Sequence, residues 1–257
     1  MPQFAANLTM LFNEVPFLDR FEAAARAGFT GVEYLFPYAW EADELAARLR
    51  DNGLVQVLHN LPPGNWDAGE RGIACHPDRR DEFRDGVARG ITYATRLGCP
   101  RLNCLAGIVP KGLGRDDAEA VFSENLAYAA GELARAGLKL LIEPINHFDI
   151  PGFLLTRSDQ AMRLIEAVGA PNLYLQYDIY HAQRMEGELA ATIARLLPRI
   201  DHMQLADNPG RHEPGSGEIH FPFLFGEIDR LGYDGWIGCE YRPAGDTAAG
   251  LGWLPGR

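Results

Sequence analysis

A closed (β/α)8 barrel is the fold class this α/β sequence predicts, and three observations predict it. The first is a recurring punctuation mark. An Ala-, Leu- and Arg-rich helical stretch ends in glycine and an apolar run follows, as in ARAGFTGVEYLF, RDNGLVQVLHN, TRLGCPRLNCLAG, ARAGLKLLIEP, EAVGAPNLYLQYD and DRLGYDGWIGCEY. Glycine just past a helix end forms the left-handed cap, and a short apolar run bounded by polar residues reads as a buried strand. The second is the count: FAANLTM at the start and RIDHMQLAD after LLP are strands without the glycine mark, which brings the total to eight. The third is strict alternation. Strand followed by helix throughout implies a parallel sheet, and eight such units in 257 residues fit a closed barrel better than an open doubly wound sheet.

In order, the strands are expected near residues 3–8, 31–36, 54–60, 101–106, 138–144, 173–179, 200–206 and 235–241. VPFLDRFEAAARAG supplies the first helix, with Pro16 near its first turn and Phe17, Phe21 and Ala24 on one face. The others are EADELAARLRDNG, DRRDEFRDGVARGITYATRLG, RDDAEAVFSENLAYAAGELARAG, RSDQAMRLIEAVG, EGELAATIARLLP and FPFLFGEIDRLG. The Gly-rich tail AGDTAAGLGWLPGR has room only for a short last helix. No linker or low-complexity segment interrupts the chain, so residues 1–257 are expected to form one catalytic domain.

Composition narrows the function. Lys and Arg number 24 against 35 Asp and Glu, a formal charge of −11, which disfavours nucleic acid as a partner but leaves small anionic substrates open. The four cysteines form no C-x-x-C pair and are expected to be reduced, which with the absence of a basic, apolar leader at the start points to the cytoplasm. No apolar run is long enough for a membrane span. A homodimer or higher homo-oligomer is compatible with Trp and Phe exposed on outer helices.

The stretch LIEPINHFDIPGF (residues 141–153) carries the site argument. Sorted by parity, the last four strands each present one apolar face, while the other parity carries Glu143, Asp178, Gln204 and Glu240 at the carboxyl ends. In a barrel those ends meet at the mouth, where active sites lie. Pro144 then stops strand pairing behind Glu143. Three converging carboxylates and an amide repel unless something neutralises them. A divalent cation would do so, and all-oxygen ligation suits Mg²⁺ or Mn²⁺ better than Zn²⁺; loop amides hydrogen-bonded to the strand ends are the other solution.

Several stretches resemble the hydroxypyruvate isomerase family, among the xylose-isomerase-like TIM barrels: FAANLTMLF, LFPY, LHNLPPGNWDAGERGIA, EFRDGVA, IEPINHFDIPGF, LQYDIYHAQRMEGEL, QLADNPGRHEPGSGEI and GYDGWIGCEYRP, together spanning almost the whole chain. The resemblance implies that Glu143 and Glu240 are the proton donor/acceptor pair. It also implies one divalent cation bound by Glu143, Asp178, Gln204 and Glu240, although related ketose epimerases carry His where Gln204 stands. The implied reaction interconverts hydroxypyruvate and 2-hydroxy-3-oxopropanoate (tartronate semialdehyde) through an enediol.

Such a substrate is a small hydroxy-oxo acid whose carboxylate needs cationic partners. Arg71, Arg211 and His212 lie in mouth loops, and a guanidinium can fork a carboxylate. Glu70 is expected to orient Arg71. His59, ending the third strand, and His181, three residues after Asp178, are candidates for hydrogen bonds to substrate oxygens. His147 and His202 read as satisfied histidines of the barrel rim, and Phe4, Phe21, Phe221, Phe223 and Phe225 as core. EPGSGEI lacks the Lys and helix of a phosphate loop. A four-carbon 2-oxo-tetronate isomerase and a ketose epimerase are the near alternatives. A metal-dependent DNA-repair nuclease would need more histidine ligands and a basic face.

Overall fold

The computed structural model describes residues 2–254; Met1 and residues 255–257, included in the one-domain expectation, lie outside the described residues. Eight parallel strands, β1 (Gln3–Asn7), β2 (Gly31–Glu33), β3 (Val55–Asn60), β4 (Arg101–Asn103), β5 (Lys139–Ile142), β6 (Leu173–Asp178), β7 (Ile200–Leu205) and β8 (Trp236–Cys239), close in sequential order, with β8 pairing back onto β1. The helices α1 (Arg20–Arg26), α2 (Ala42–Asp51), α3 (Arg80–Leu97), α4 (Arg115–Arg135), α5 (Ser158–Val168), α6 (Ile179–Met185), α7 (Leu189–Leu196) and α8 (Phe221–Arg230) surround them. Among the described residues after β8 the one helical element is a 3-10 turn, Ala249–Trp253, in keeping with the Gly-rich tail. The glycines of the recurring mark, Gly28, Gly53, Gly98, Gly137, Gly169 and Gly232, all take left-handed φ, between 64° and 84°. No helix among the described residues is long and apolar enough to cross a membrane.

Three features differ from expectation. β2 and β4 are shorter than the apolar runs that mark them, because the chain leaves the sheet early to feed mouth loops. Helix α6 follows β6 without a loop: Asp178 ends the strand and caps the helix, accepting the main-chain N–H of Tyr180 (2.7 Å) and His181 (3.3 Å). The aromatic residues also depart from expectation, in both directions. Phe223 on α8 is exposed, contrary to the core assignment, while none of the four tryptophans is; among the described residues the exposed large apolar side chains are Val55, Phe148 and Phe223.

The core has two parts. The larger fills the space between strands and helices, with Phe21, Leu45, Val87, Phe122, Leu164 and Ile193 meeting Leu140, Leu175, Met203 and Ile237. The smaller lies inside the barrel: Ala5, Val57, Leu58 and Leu141, with Tyr174 and Trp236 packed against them. Two glycines make this interior possible. The Trp236 ring fills the space a side chain at Gly31 would take, and a methyl at Gly238 would overlap the Glu33 carboxylate. Above that apolar plug the inward-facing residues turn polar, and the site begins.

Candidate active site

Glu143 follows β5 and Glu240 follows β8, so each side chain leaves the sheet at the mouth, with Asp178 and Gln204 at the ends of β6 and β7 between them. All four are buried. Beneath them lies a layer of side-chain amides. Asn103 and Gln176 both donate to Oε2 of Glu143, at 3.0 and 2.9 Å. Gln204 and Asn7 donate to Oε2 of Glu240, at 2.5 and 3.4 Å, and also to Oε1 of Glu33, at 2.8 and 2.9 Å. Each glutamate therefore has one oxygen tied to the floor. The other oxygen of Glu143 faces His181 Nε2 at 3.8 Å, and that of Glu240 accepts Arg211 Nη2 at 2.7 Å. Both residues line one cavity of about 490 Å³.

Burial raises the Glu143 carboxyl well above the ordinary range, and Glu240 and Asp178 raise it further by like-charge repulsion. Burial raises Glu240 and Asp178 as well, opposed in both cases by the Arg211 guanidinium. His181 is held neutral, its pKa pushed far down by burial and then by Arg211 and Arg184. The two glutamates thus compete for charge across a shared space, which is how a pair comes to hold one acid and one base.

The same cluster suits a cation. Glu143, Asp178 and His181 each offer a ligand atom, all within 4.8 Å of one another, and together could hold a metal ion. Asp178 Oδ1 is occupied by the two helix N–H groups, whereas Oδ2 is buried without a hydrogen bond. A buried carboxylate oxygen with no hydrogen bond needs a positive partner. Gln204 is occupied otherwise: its Nε2 donates to Glu33 and Glu240 and its Oε1 accepts Gln176 Nε2 at 2.6 Å.

The remaining candidates divide. Arg211 and Arg71 line the cavity. Arg71 lies over the Trp66 ring, 4.0 Å from its centroid, and anchors Nη1 on the carbonyls of Trp66 (3.0 Å) and Glu70 (2.7 Å). Glu70 does not orient it through the carboxylate, as expected from the sequence. That group pairs with Arg79 and the Asn65 amide, and only the Glu70 carbonyl holds Arg71. His59 is a second correction. It is fully buried away from the cavity lining, against the Tyr38 ring and the Gln56 amide, and burial pushes its pKa down to about 3. Asn60, the last residue of β3, lines the cavity in its place. His212 binds the Arg242 carbonyl at 2.7 Å, tying two loops together. His202 is not at the rim but inside the barrel, paired with Glu33 at 2.6 Å, and His147 is exposed.

Sequence reasoning missed Asp149, Tyr180, Arg184 and Asp207. Tyr180 and Arg184 sit on α6, and the signal for them was the Asp178 cap. Asp207 organises the loop that presents Arg211, its carboxylate accepting the main-chain N–H of Asn208, Gly215, Gly217 and Ile219 at 2.9–3.0 Å. The amides of EPGSGEI thus enclose an internal carboxylate. Asp207→Ala is expected to destabilise the protein by roughly 3 kcal/mol, since buried donors lose a charged acceptor, and to speed hydrogen exchange across residues 208–219; unchanged exchange there would remove Asp207 from this role.

The comparisons with known proteins agree with this geometry. A family model described as "Xylose isomerase-like TIM barrel" matches residues 21–256. A solved structure described as AP endonuclease, family 2 from Brucella melitensis superposes with a TM-score of 0.97 at 48% identity, covering 100% of both chains. The class is therefore the xylose isomerase-like TIM barrel. The chain is 55% identical over 254 residues to hydroxypyruvate isomerase of Escherichia coli, and 51% identical over 254 residues to 2-oxo-tetronate isomerase of Cupriavidus necator, each match covering 99% of this chain and 98% of the relative. The chain belongs to the hydroxypyruvate/2-oxo-tetronate isomerase family and is an isomerase.

Proposed function

We propose that the protein interconverts hydroxypyruvate and 2-hydroxy-3-oxopropanoate, with Glu143 and Glu240 moving the proton between C3 and C2 through an enediol. The observation that carries this is the pair itself: two buried glutamates, each with one oxygen fixed by amides and one directed to a shared cavity. One carboxylate takes the C3 proton and the other, protonated, delivers a proton to C2. Meanwhile the C3 hydroxyl loses its proton and the C2 oxygen gains one, so the product is the aldehyde with no net change in atoms. His181 lies within reach of oxygens placed between Glu143 and Asp178. Arg71 is the carboxylate anchor, because its guanidinium is held in place by carbonyls and stacking.

Glu143, Asp178 and Glu240 would hold a divalent cation, Mg²⁺ or Mn²⁺, and Gln204, the fourth ligand the resemblance implies, would join them only by releasing Gln176 from its Oε1. When bound, it supplies positive charge to the enediolate oxygens. A second reading is favoured by the size of the cavity: about 490 Å³ leaves room for a four-carbon 2-oxo-tetronate. A nuclease reading has the chain's charge of −11 against it.

Proton NMR of hydroxypyruvate in D₂O tests the reading, with the four-carbon acid run in parallel and both repeated with EDTA. Product carrying solvent deuterium at carbon is expected, and turnover is expected to fall in EDTA and return with Mg²⁺ or Mn²⁺. Turnover of the tetronate alone would move the substrate to four carbons; no change in either compound would refute the assignment.

A further inference from the structure

We propose that Asn146 is a positioning residue that fixes His181 as its Nε2–H tautomer, so that His181 meets substrate as a hydrogen-bond donor and not a cation as a ligand. Two donors converge on His181 Nδ1. The Asn146 side-chain Nδ2 is 2.6 Å away, and the Asn146 main-chain N–H points at the same atom from 3.5 Å. The side-chain amide cannot be turned round without loss. Its Oδ1 accepts the Asp149 main-chain N–H at 2.9 Å, and its Nδ2 also donates to Asp149 Oδ2 at 3.1 Å. A main-chain N–H has no acceptor face at all. Nδ1 is therefore the acceptor nitrogen of the imidazole, and in a neutral ring the proton sits on Nε2.

Nε2 faces the reaction space, 3.8 Å from Glu143 Oε1 and 3.7 Å from Asp178 Oδ2. Those distances are too long for direct hydrogen bonds, so the Nε2 proton is left for a substrate oxygen in the cavity that His181 lines. A histidine that ligates a metal donates its other ring N–H to a carboxylate or carbonyl, which fixes a lone pair on the metal-facing nitrogen. Here the outer nitrogen meets donors instead. Of the group able to hold a cation, His181 is the member whose surroundings oppose ligation, and the carboxylates are left to the ion. The tautomer follows from the protein alone; only the identity of the accepting oxygen rests on the isomerase reading.

Imidazole ¹H–¹⁵N correlation NMR on ¹⁵N-histidine protein tests this, with His181 assigned by the signal lost in His181→Gln. The expected wild-type spectrum has Nδ1 unprotonated and Nε2 protonated, and keeps both when Mg²⁺ is added. In Asn146→Asp an acceptor replaces the Nδ2 donor. Nδ1 is then expected to gain a proton, and kcat to fall by roughly 10- to 100-fold with KM moving less. A wild-type Nδ1–H, loss of the Nε2 proton on adding Mg²⁺, or an unchanged tautomer in Asn146→Asp would each overturn the proposal. A switched tautomer with unaltered kcat would overturn its role in the reaction. Should Asn146→Asp fail to fold, the wild-type spectra with and without Mg²⁺ decide. Absence of turnover on either acid would leave the tautomer result intact and sink only the isomerase substrate assignment.

Discussion

Glu143→Gln is expected to lower kcat by roughly 100- to 10,000-fold, the usual contribution of a positioned acid or base, while making the cation-free protein more stable at pH 8. The two effects have one cause. Glu143 is raised above its ordinary pKa by burial, by Glu240 and by Asp178. The unfolded chain therefore releases this proton at a pH where the folded chain still keeps it, and folding stability falls as pH rises above the ordinary carboxylate range. Each pH unit in that window costs up to about 1.4 kcal/mol per such group. The substitution removes the penalty, and the amide fits the site. Its oxygen takes the Asn103 and Gln176 donors, and its NH₂ turns toward Asp178 Oδ2, which has no hydrogen bond of its own. Glu240→Gln is expected to lose activity equally but to gain no stability. Both Glu240 oxygens already accept, one from Arg211 and one from Gln204, and an amide has only one acceptor to offer. Urea unfolding at pH 5 and pH 8 checks both variants. A Glu143→Gln protein no more stable than wild type at pH 8 would mean that the carboxylate repulsion is already relieved. Mg²⁺ or Mn²⁺ should stabilise the wild type more than Glu143→Gln, because binding to the folded state adds to stability in proportion to affinity.

What could be read from the sequence follows the physics of each signal. Helix caps are local, so the glycines announced the helix ends, and every one of those capping glycines has the expected φ. Strand parity is also local, and it brought Glu143, Asp178, Gln204 and Glu240 to one end of the barrel before any coordinates. His59 was expected at the mouth only because it stands near the end of β3, and nearness to a strand end does not decide which way a side chain faces, least of all on a strand with a register shift against its neighbour. The amide floor was only partly visible. Gln176 shares the parity of Asp178, but that Asn7, Asn103 and Gln176 all turn their NH₂ groups to carboxylates depends on contacts between strands far apart in sequence. Loop partners were the least legible. Glu70 stands beside Arg71 in sequence, yet its carboxylate reaches Arg79, because adjacent side chains in an irregular loop need not face each other. Asp207 carries no local signal, because its role lies in contacts with main-chain amides of the following loop.

Loss of Arg211 is expected to have the other large effect. Its guanidinium faces Glu240 and Asp178, with Nη2 2.7 Å from the first and 4.0 Å from the second, Nη1 is 3.8 Å from Asp149, which Arg184 also pairs, and the group lies 5.0 Å from the Tyr180 ring centroid. Its backbone is left-handed, φ 55°, a conformation asparagine tolerates, so Arg211→Asn removes the charge with least disturbance of the loop. Removing one member of a buried ion pair leaves the other uncompensated, at a cost of roughly 3 kcal/mol. That cost depends on pH in a definite direction. Arg211 lowers the pKa of both Glu240 and Asp178, so without it both rise further above their unfolded values. At pH 5 the carboxyls escape by holding protons and the variant resembles wild type. At pH 8 the unfolded chain has released those protons, and the variant's deficit is expected at its largest. Activity should follow the same logic: with its strongest cationic partner gone, Glu240 becomes a poorer acid, and kcat/KM falls by roughly 100- to 1,000-fold. Arg211→Lys restores the charge but not the fork that reaches Glu240 while stacking on Tyr180, so it should recover stability at pH 8 more fully than activity. Equal recovery of both by lysine would reduce Arg211 to a point charge, and a deficit independent of pH in Arg211→Asn would mean that the guanidinium supports the loop instead of the carboxylates.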